Sequence, residues 1–91
     1  MNKNNIKKFI NKELIKTNKR YENMSYKKNF FDQGIDSLDF YTLMFKIEEK
    51  FKIKIPAKVY NKLNSSFKIE QYIKKILWLN LLRVYILSTE V

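Results

Sequence analysis

Gly34 and Pro56 are the only glycine and the only proline in this 91-residue chain. Glycine supplies left-handed corners and proline presets turns, so a chain with one of each has little with which to build many tight reversals. Few, long, helical elements are expected, and the hydropathy pattern supplies them. Ile6, Phe9, Ile10 and Leu14 recur at helical spacing with Lys7, Lys8, Asn11 and Lys12 on the other side, which predicts an amphipathic helix over about residues 4–17. Residues 18–34 lose this period and read as a long connection whose end is anchored by Phe30 and Phe31.

A second helix starts at the Gly34 corner, where Asp36 or Ser37 can act as the N-cap and Asp39 favours the same end. Its stripe, Phe40, Leu43, Met44, Ile47 and Phe51, faces a core and carries the helix to about residue 51. Lys52 to Ile55 alternates like a short extended connector with two buried isoleucines, and Pro56 biases Ile55 away from the helical region. A short third helix is expected over about 57–62. Ser65 and Ser66 offer caps for a fourth, marked by Ile69, Tyr72, Ile73, Ile76 and Leu77.

The expected fold class is therefore all-α, a four-helix bundle with a short third helix and an extended apolar C-terminal segment. The expected division is a single domain over residues 1–77 and an apolar extension over 78–91. From Ile76 to Leu87 only Asn80 and Arg83 are polar, yet twelve residues fall short of the ~20 needed to span a bilayer. The run is expected either to extend the fourth helix across the bundle or to make a dimer, partner or membrane-surface contact, the last through Trp78 and Tyr85.

The chain has neither Cys nor His, which removes disulfides, thiolate nucleophiles, imidazole bases and the commonest transition-metal ligands. No metal site and no self-contained catalysis are expected. Met1 to Lys8 is polar and no apolar leader follows, so a cytoplasmic location is the expectation. The formal charge of +10 raises a nucleic acid or an anionic membrane as a partner, but it is unevenly distributed. Residues 1–28 and 50–75 each carry a net +7, whereas residues 32–49, with Asp32, Asp36, Asp39, Glu48 and Glu49 against Lys46, carry −4. Most of the cations are Lys, and no Arg-bearing recognition helix appears, so no nucleic acid is expected. A basic helical nucleic-acid-binding or protein-interaction domain is the alternative.

The acidic island contains Phe30-Phe31-Asp32-Gln33-Gly34-Ile35-Asp36-Ser37-Leu38-Asp39, which places a hydroxyl at a helix start. The free amides of a first turn and the helix macrodipole favour an anion there by ~0.3–1 kcal/mol, so a phosphodiester on Ser37 would fit. Taken alone, Asp36 and Ser37 read first as plain helix caps, which is what such residues at a helix start usually are. The segment, however, resembles the phosphopantetheine attachment motif of acyl carrier proteins, Gly-x-Asp-Ser-Leu after a Phe-x-Asp-x-Gly approach. Downstream, Glu48-Glu49-Lys50-Phe51-Lys52-Ile53-Lys54-Ile55-Pro56 resembles the same family's Glu-Glu-x-Phe-x-Ile-x-Ile-Pro close of its second helix.

The resemblance, covering about Ile6 to Leu77, implies a non-catalytic carrier. Ser37 would receive 4′-phosphopantetheine from coenzyme A through a separate phosphopantetheinyl transferase, with Asp36 as the acidic neighbour that docks the transferase and its metal-bound coenzyme A. The arm's thiol would hold acyl groups as thioesters for acyl-activating, synthase or acyltransferase enzymes of fatty-acid or secondary-metabolite biosynthesis. The second helix matches the family's partner-recognition helix. Tyr41, Phe45 and Glu48 lie four, eight and eleven positions after Ser37, close to its face, and Asp39 and Glu49 flank them. Tyr41 and Phe45 are read either as partner contacts or as core residues. Three departures stand out: the basic flanks, Gln33 where Leu is common, and Thr42 where Glu is common. A dedicated pathway carrier fits these better than a housekeeping one.

Overall fold

A computed structural model describes residues 3–89. Its elements are α1 (Lys3–Thr17), α2 (Ser37–Phe51), α3 (Ala57–Tyr60) and α4 (Ser66–Thr89), with single 3₁₀ turns at Lys19–Tyr21 and Phe31–Gln33 and no strand among the described residues. The all-helical architecture agrees with the hydropathy periods. Each predicted stripe is where the core is: Ile6, Ile10 and Leu14 from α1, Phe40, Leu43, Met44, Ile47 and Phe51 from α2, and Ile69 and Ile73 from α4 are all buried. Ile53 and Ile55 add to this core from the connector, as the alternation before Pro56 predicts.

Helix ends follow from capping chemistry. Asp36 stands in extended conformation ahead of α2, and its carboxylate accepts from the Asp39 amide at 2.8 Å, satisfying one of the first-turn donors. At the other end Lys52 turns left-handed (φ 55°) and donates its amide to the Glu48 carbonyl, which stops the helix. For α4 it is Ser65 whose hydroxyl oxygen accepts from the Lys68 amide, at 3.2 Å.

α1 and α2 run antiparallel. The turn after α1 meets the start of α2 through Tyr21 and Asp39, and Phe9 in the middle of α1 packs edge-on against Phe51 at the end of α2, 5.6 Å between ring centres. α4 starts at the same pole as α2: the Phe30 amide donates to the Asn64 carbonyl (2.7 Å) and the Phe67 amide to the Tyr26 carbonyl (2.9 Å). Tyr26 also donates its hydroxyl to the buried Glu70 carboxylate, tying the long connection to α4. One pole thus gathers the end of α1 and the starts of α2 and α4. The opposite pole holds the start of α1, the end of α2 and the middle of α4.

Three expectations need correction. α3 is a single turn ending at Tyr60 rather than at about 62, because residues 57–60 are followed by turns at 61–62 that lead into the buried Leu63. Phe30 is the buried anchor of the long connection, but Phe31 is exposed, lying on the rim of Phe40 at 5.2 Å. The apolar C-terminal run does continue α4 in one unbroken helix, yet it does not cross the bundle. Every classified residue from Trp78 to Ser88 is exposed, because α4 outruns the helices it packs against.

Candidate functional site: the Ser37 corner

Gly34 makes the corner that presents Ser37. Its backbone is left-handed (φ 94°), a conformation that side chains resist, and its amide donates to the Phe31 carbonyl to close the 3₁₀ turn. Ile35, buried, fixes the chain on the core and donates its amide to the Phe30 carbonyl at 3.1 Å. Asp36 then caps α2, and Ser37 is its first residue, exposed to solvent. The hydroxyl therefore sits at the positive end of a 15-residue helix with nothing over it.

Two networks that sequence periodicity does not reveal hold this corner in place. In the first, Tyr21 donates its hydroxyl to Asp39 Oδ2 at 2.5 Å, while Arg20 Nη2 lies 3.3 Å from both the Tyr21 hydroxyl and the Gly34 carbonyl, donating to each. The Arg20 guanidinium is held above its ordinary range, chiefly by Tyr21 and further by the charges of Asp36 and Asp39. It is a fixed cation beside the Ser37 corner. In the second, Gln33 clamps the long connection onto the corner. Its Oε1 accepts from the Ser25 amide (2.6 Å), and its Nε2 donates to the carbonyls of Ser25 (3.2 Å), Lys28 (3.0 Å) and Asn29 (3.5 Å). Gln33→Ala should lower stability by about 1–2 kcal/mol, since half-buried loop groups lose their partners. Urea denaturation checks this, and cleavage by a protease within residues 22–29 should quicken.

The predicted partner residues are sorted by their surroundings. Tyr41 and Phe45 are 51% and 74% exposed, so they are surface rather than core, and Glu49 is exposed beside them. Leu38, which sequence reasoning left aside, is 75% exposed next to Ser37 and extends the same face. Its spacing gave the signal: Leu38 lies opposite the Phe40–Leu43–Ile47 side of the helix. Glu48 lies on this face too, while Asp39 stands on the other flank of α2; each carboxylate carries an internal bond, Asp39 from Tyr21 and Glu48 from the Ile55 amide at 2.7 Å. Tyr60 stands behind Tyr41, 5.7 Å between ring centres, and its phenol is pushed above its ordinary range by burial first and the Glu48 charge second. A groove of about 370 Å³, lined by Phe45, Glu48, Glu49, Lys52, Ile53 and Lys54, closes the far end of the face. The arrangement is a hydroxyl at one end of an apolar shelf edged with acid.

The residues present fit a phosphate-linked arm at this place: an uncovered hydroxyl, a helix N-terminus, the Arg20 cation and an apolar shelf leading away. Serines elsewhere in residues 17–73 are less available, since Ser25 is half-buried and Ser65 and Ser66 are buried. Among known proteins, the family model described as "phosphopantetheine attachment site" matches residues 17–73. No curated protein matches the chain. No solved structure does either. Domains of this family are the attachment site for the 4′-phosphopantetheine prosthetic group, and they act in general as carriers rather than catalysts. The match spans well over half of the chain and takes in the whole of the Gly34 corner, α2 and α3, so the chain belongs to the phosphopantetheine attachment site family.

Proposed function

We propose that this chain is an acyl carrier protein that holds acyl groups as thioesters on a 4′-phosphopantetheine arm at Ser37 and delivers them to partner enzymes in the cytoplasm. The observation that carries this is that Ser37 is the one exposed serine of the four within the family match. It also stands in the Asp-Ser-Leu segment that resembles the attachment motif. When bound, the arm supplies a terminal thiol to which an acyl group can be esterified. The chain's own residues do the rest. Gly34 and Asp36 hold the hydroxyl out at the start of α2, Gln33 and Tyr21 brace that corner, and Arg20 offers a cation for the phosphodiester.

Partner enzymes on this account are a phosphopantetheinyl transferase, engaging Asp36 and Ser37, and acyl-activating, synthase or acyltransferase enzymes that read α2. Leu38, Tyr41 and Phe45 give apolar contacts, Glu49 and the half-buried Glu48 give an acidic edge, and Asp39 adds a charge on the other flank of α2. The chain's net charge of +10 opposes long-range steering toward basic enzymes, which leaves recognition to contact distance and favours a dedicated partner set. Arm-bearing protein incubated with an acyl-activating enzyme, ATP and a fatty acid should gain the mass of the acyl group. Neutral hydroxylamine should then remove it, as it cleaves thioesters. A gain that resists hydroxylamine, or no gain while a reference carrier is loaded, would contradict the carrier reading.

A further inference from the structure

The far end of α4 carries a surface that the carrier reading does not use and that lies beyond the family match, which stops at residue 73. At 100° per residue, the core residues Ile69, Ile73, Ile76 and Leu77 share one side of the helix. Past Leu77, Val84 and Leu87 keep to the core side, and most of the other large apolar residues turn away from it. Trp78, Leu79, Leu81, Leu82 and Tyr85 fall within an arc of about 160°, centred roughly opposite the core side. Trp78, Leu81 and Tyr85 are 60%, 70% and 65% exposed. Lys74 and Lys75 occupy the same arc one turn earlier, so cations and apolar side chains form one continuous strip. The bundle covers little of the strip: Trp78 and Leu81 border a recess with Ile6 of α1, yet both remain mostly exposed.

Charge decides what does. From Gln71 to Thr89 there is no Asp or Glu, and the only ionic side chains are Lys74, Lys75 and Arg83. A second copy laid parallel along the strip would set Lys74 and Lys75 against their equivalents, and in either direction two chains of +10 would be brought together. An anionic bilayer would instead attract them while its acyl chains take up the leucines. Trp78 and Tyr85, two turns apart on one line, have the amphipathic rings that settle at the headgroup boundary. Among the described residues no helix is long and apolar enough to cross a membrane, so the segment would lie on the surface. We infer that the C-terminal part of α4 is a docking surface for an anionic lipid bilayer. Ser37 is at the pole from which α4 starts, at the other end of that helix from the docking segment, so docking leaves that corner clear of the lipid.

The test uses the full chain with phosphatidylcholine vesicles prepared with and without phosphatidylglycerol. Trp78, the only tryptophan, reports directly. Expected are flotation with the phosphatidylglycerol vesicles, a shift of Trp78 emission to shorter wavelength, and loss of both as salt is raised. The double variant Lys74→Gln, Lys75→Gln should lower partitioning about 30-fold, and Leu81→Asp, Tyr85→Asp should abolish it, each with unchanged far-ultraviolet circular dichroism. Three results would overturn the inference. One is equal binding to neutral and anionic vesicles. Another is a dimer in sedimentation, abolished by Leu81→Asp, Tyr85→Asp, from a chain that ignores vesicles. The third is a chain that stays monomeric and binds neither vesicle, which would leave an acid-lined protein groove as the occupant.

Discussion

Ile47→Asp should leave the chain unable to fold. Ile47 is completely buried in the second half of α2, with Leu43, Met44 and Phe51 on the same stripe and α1 against it. The substitution removes a branched apolar side chain from a packed site and leaves a carboxylate with no cation among its buried neighbours. Changes of this kind cost more than ~4 kcal/mol, against a total stability for a domain of this size of only about 5–10 kcal/mol. Circular dichroism should show loss of the helical signal and of any cooperative urea transition. Ile47→Val, which keeps the shape and the polarity, should cost only ~0.5–1.5 kcal/mol and remain folded. A helical, cooperatively unfolding Ile47→Asp would mean that the α2 stripe is not the core.

Ser37→Ala should do the reverse: keep the fold and lose the function altogether. Ser37 is exposed, it is the first residue of α2 rather than its cap, and alanine is a better helix former than serine. The expected change in stability lies within about 0.5 kcal/mol of zero. With the hydroxyl gone there is no oxygen on which a phosphodiester can form, so uptake of the arm should fall to nothing rather than merely slow. The comparison to make is with Asp36→Ala, which removes the real cap and should cost about 1 kcal/mol. If Ser37→Ala were destabilised as much as Asp36→Ala, Ser37 would be a structural residue and the attachment role would pass elsewhere.

The pair shows which parts of this molecule are legible in its sequence. Helical stripes repeat a strong local period, so Phe40 to Phe51 and Ile69 to Ile73 could be placed on core faces from spacing alone. The Gly34 corner and the Asp36 cap were legible for the same reason, since each rests on the chemistry of one or two adjacent residues. What spacing could not show depends on partners far away along the chain. Tyr21 meets Asp39 across eighteen positions, and Gln33 fills its amide with the backbone of residues 25–29. Gln33 had the appearance of a lost apolar anchor. In the fold it is a polar one, because an amide carries both donors and an acceptor and can close a loop that has no helix to satisfy it.

Phe31 and the end of α4 differ for another reason. Hydrophobicity says that a side chain gains by burial, not that a neighbour is within reach to bury it. Phe30 takes the interior place at the end of the long connection, and Phe31, one residue on, is left at the rim. Past Leu77 the helix continues but α1 and α2 do not, so a run that reads as core on composition ends up exposed. The same logic resolves Tyr41 and Phe45. Both are aromatic, both sit off the stripe, and the fold leaves them on the surface beside Ser37.

Intact mass after incubation with coenzyme A and a broad-specificity phosphopantetheinyl transferase tests the central claim most directly. The chain should gain the mass of one phosphopantetheine arm, and fragmentation should locate it on the peptide that contains Ser37. A folded chain that gains nothing while a reference carrier is modified in the same tube, or that carries the arm on another residue, would contradict it.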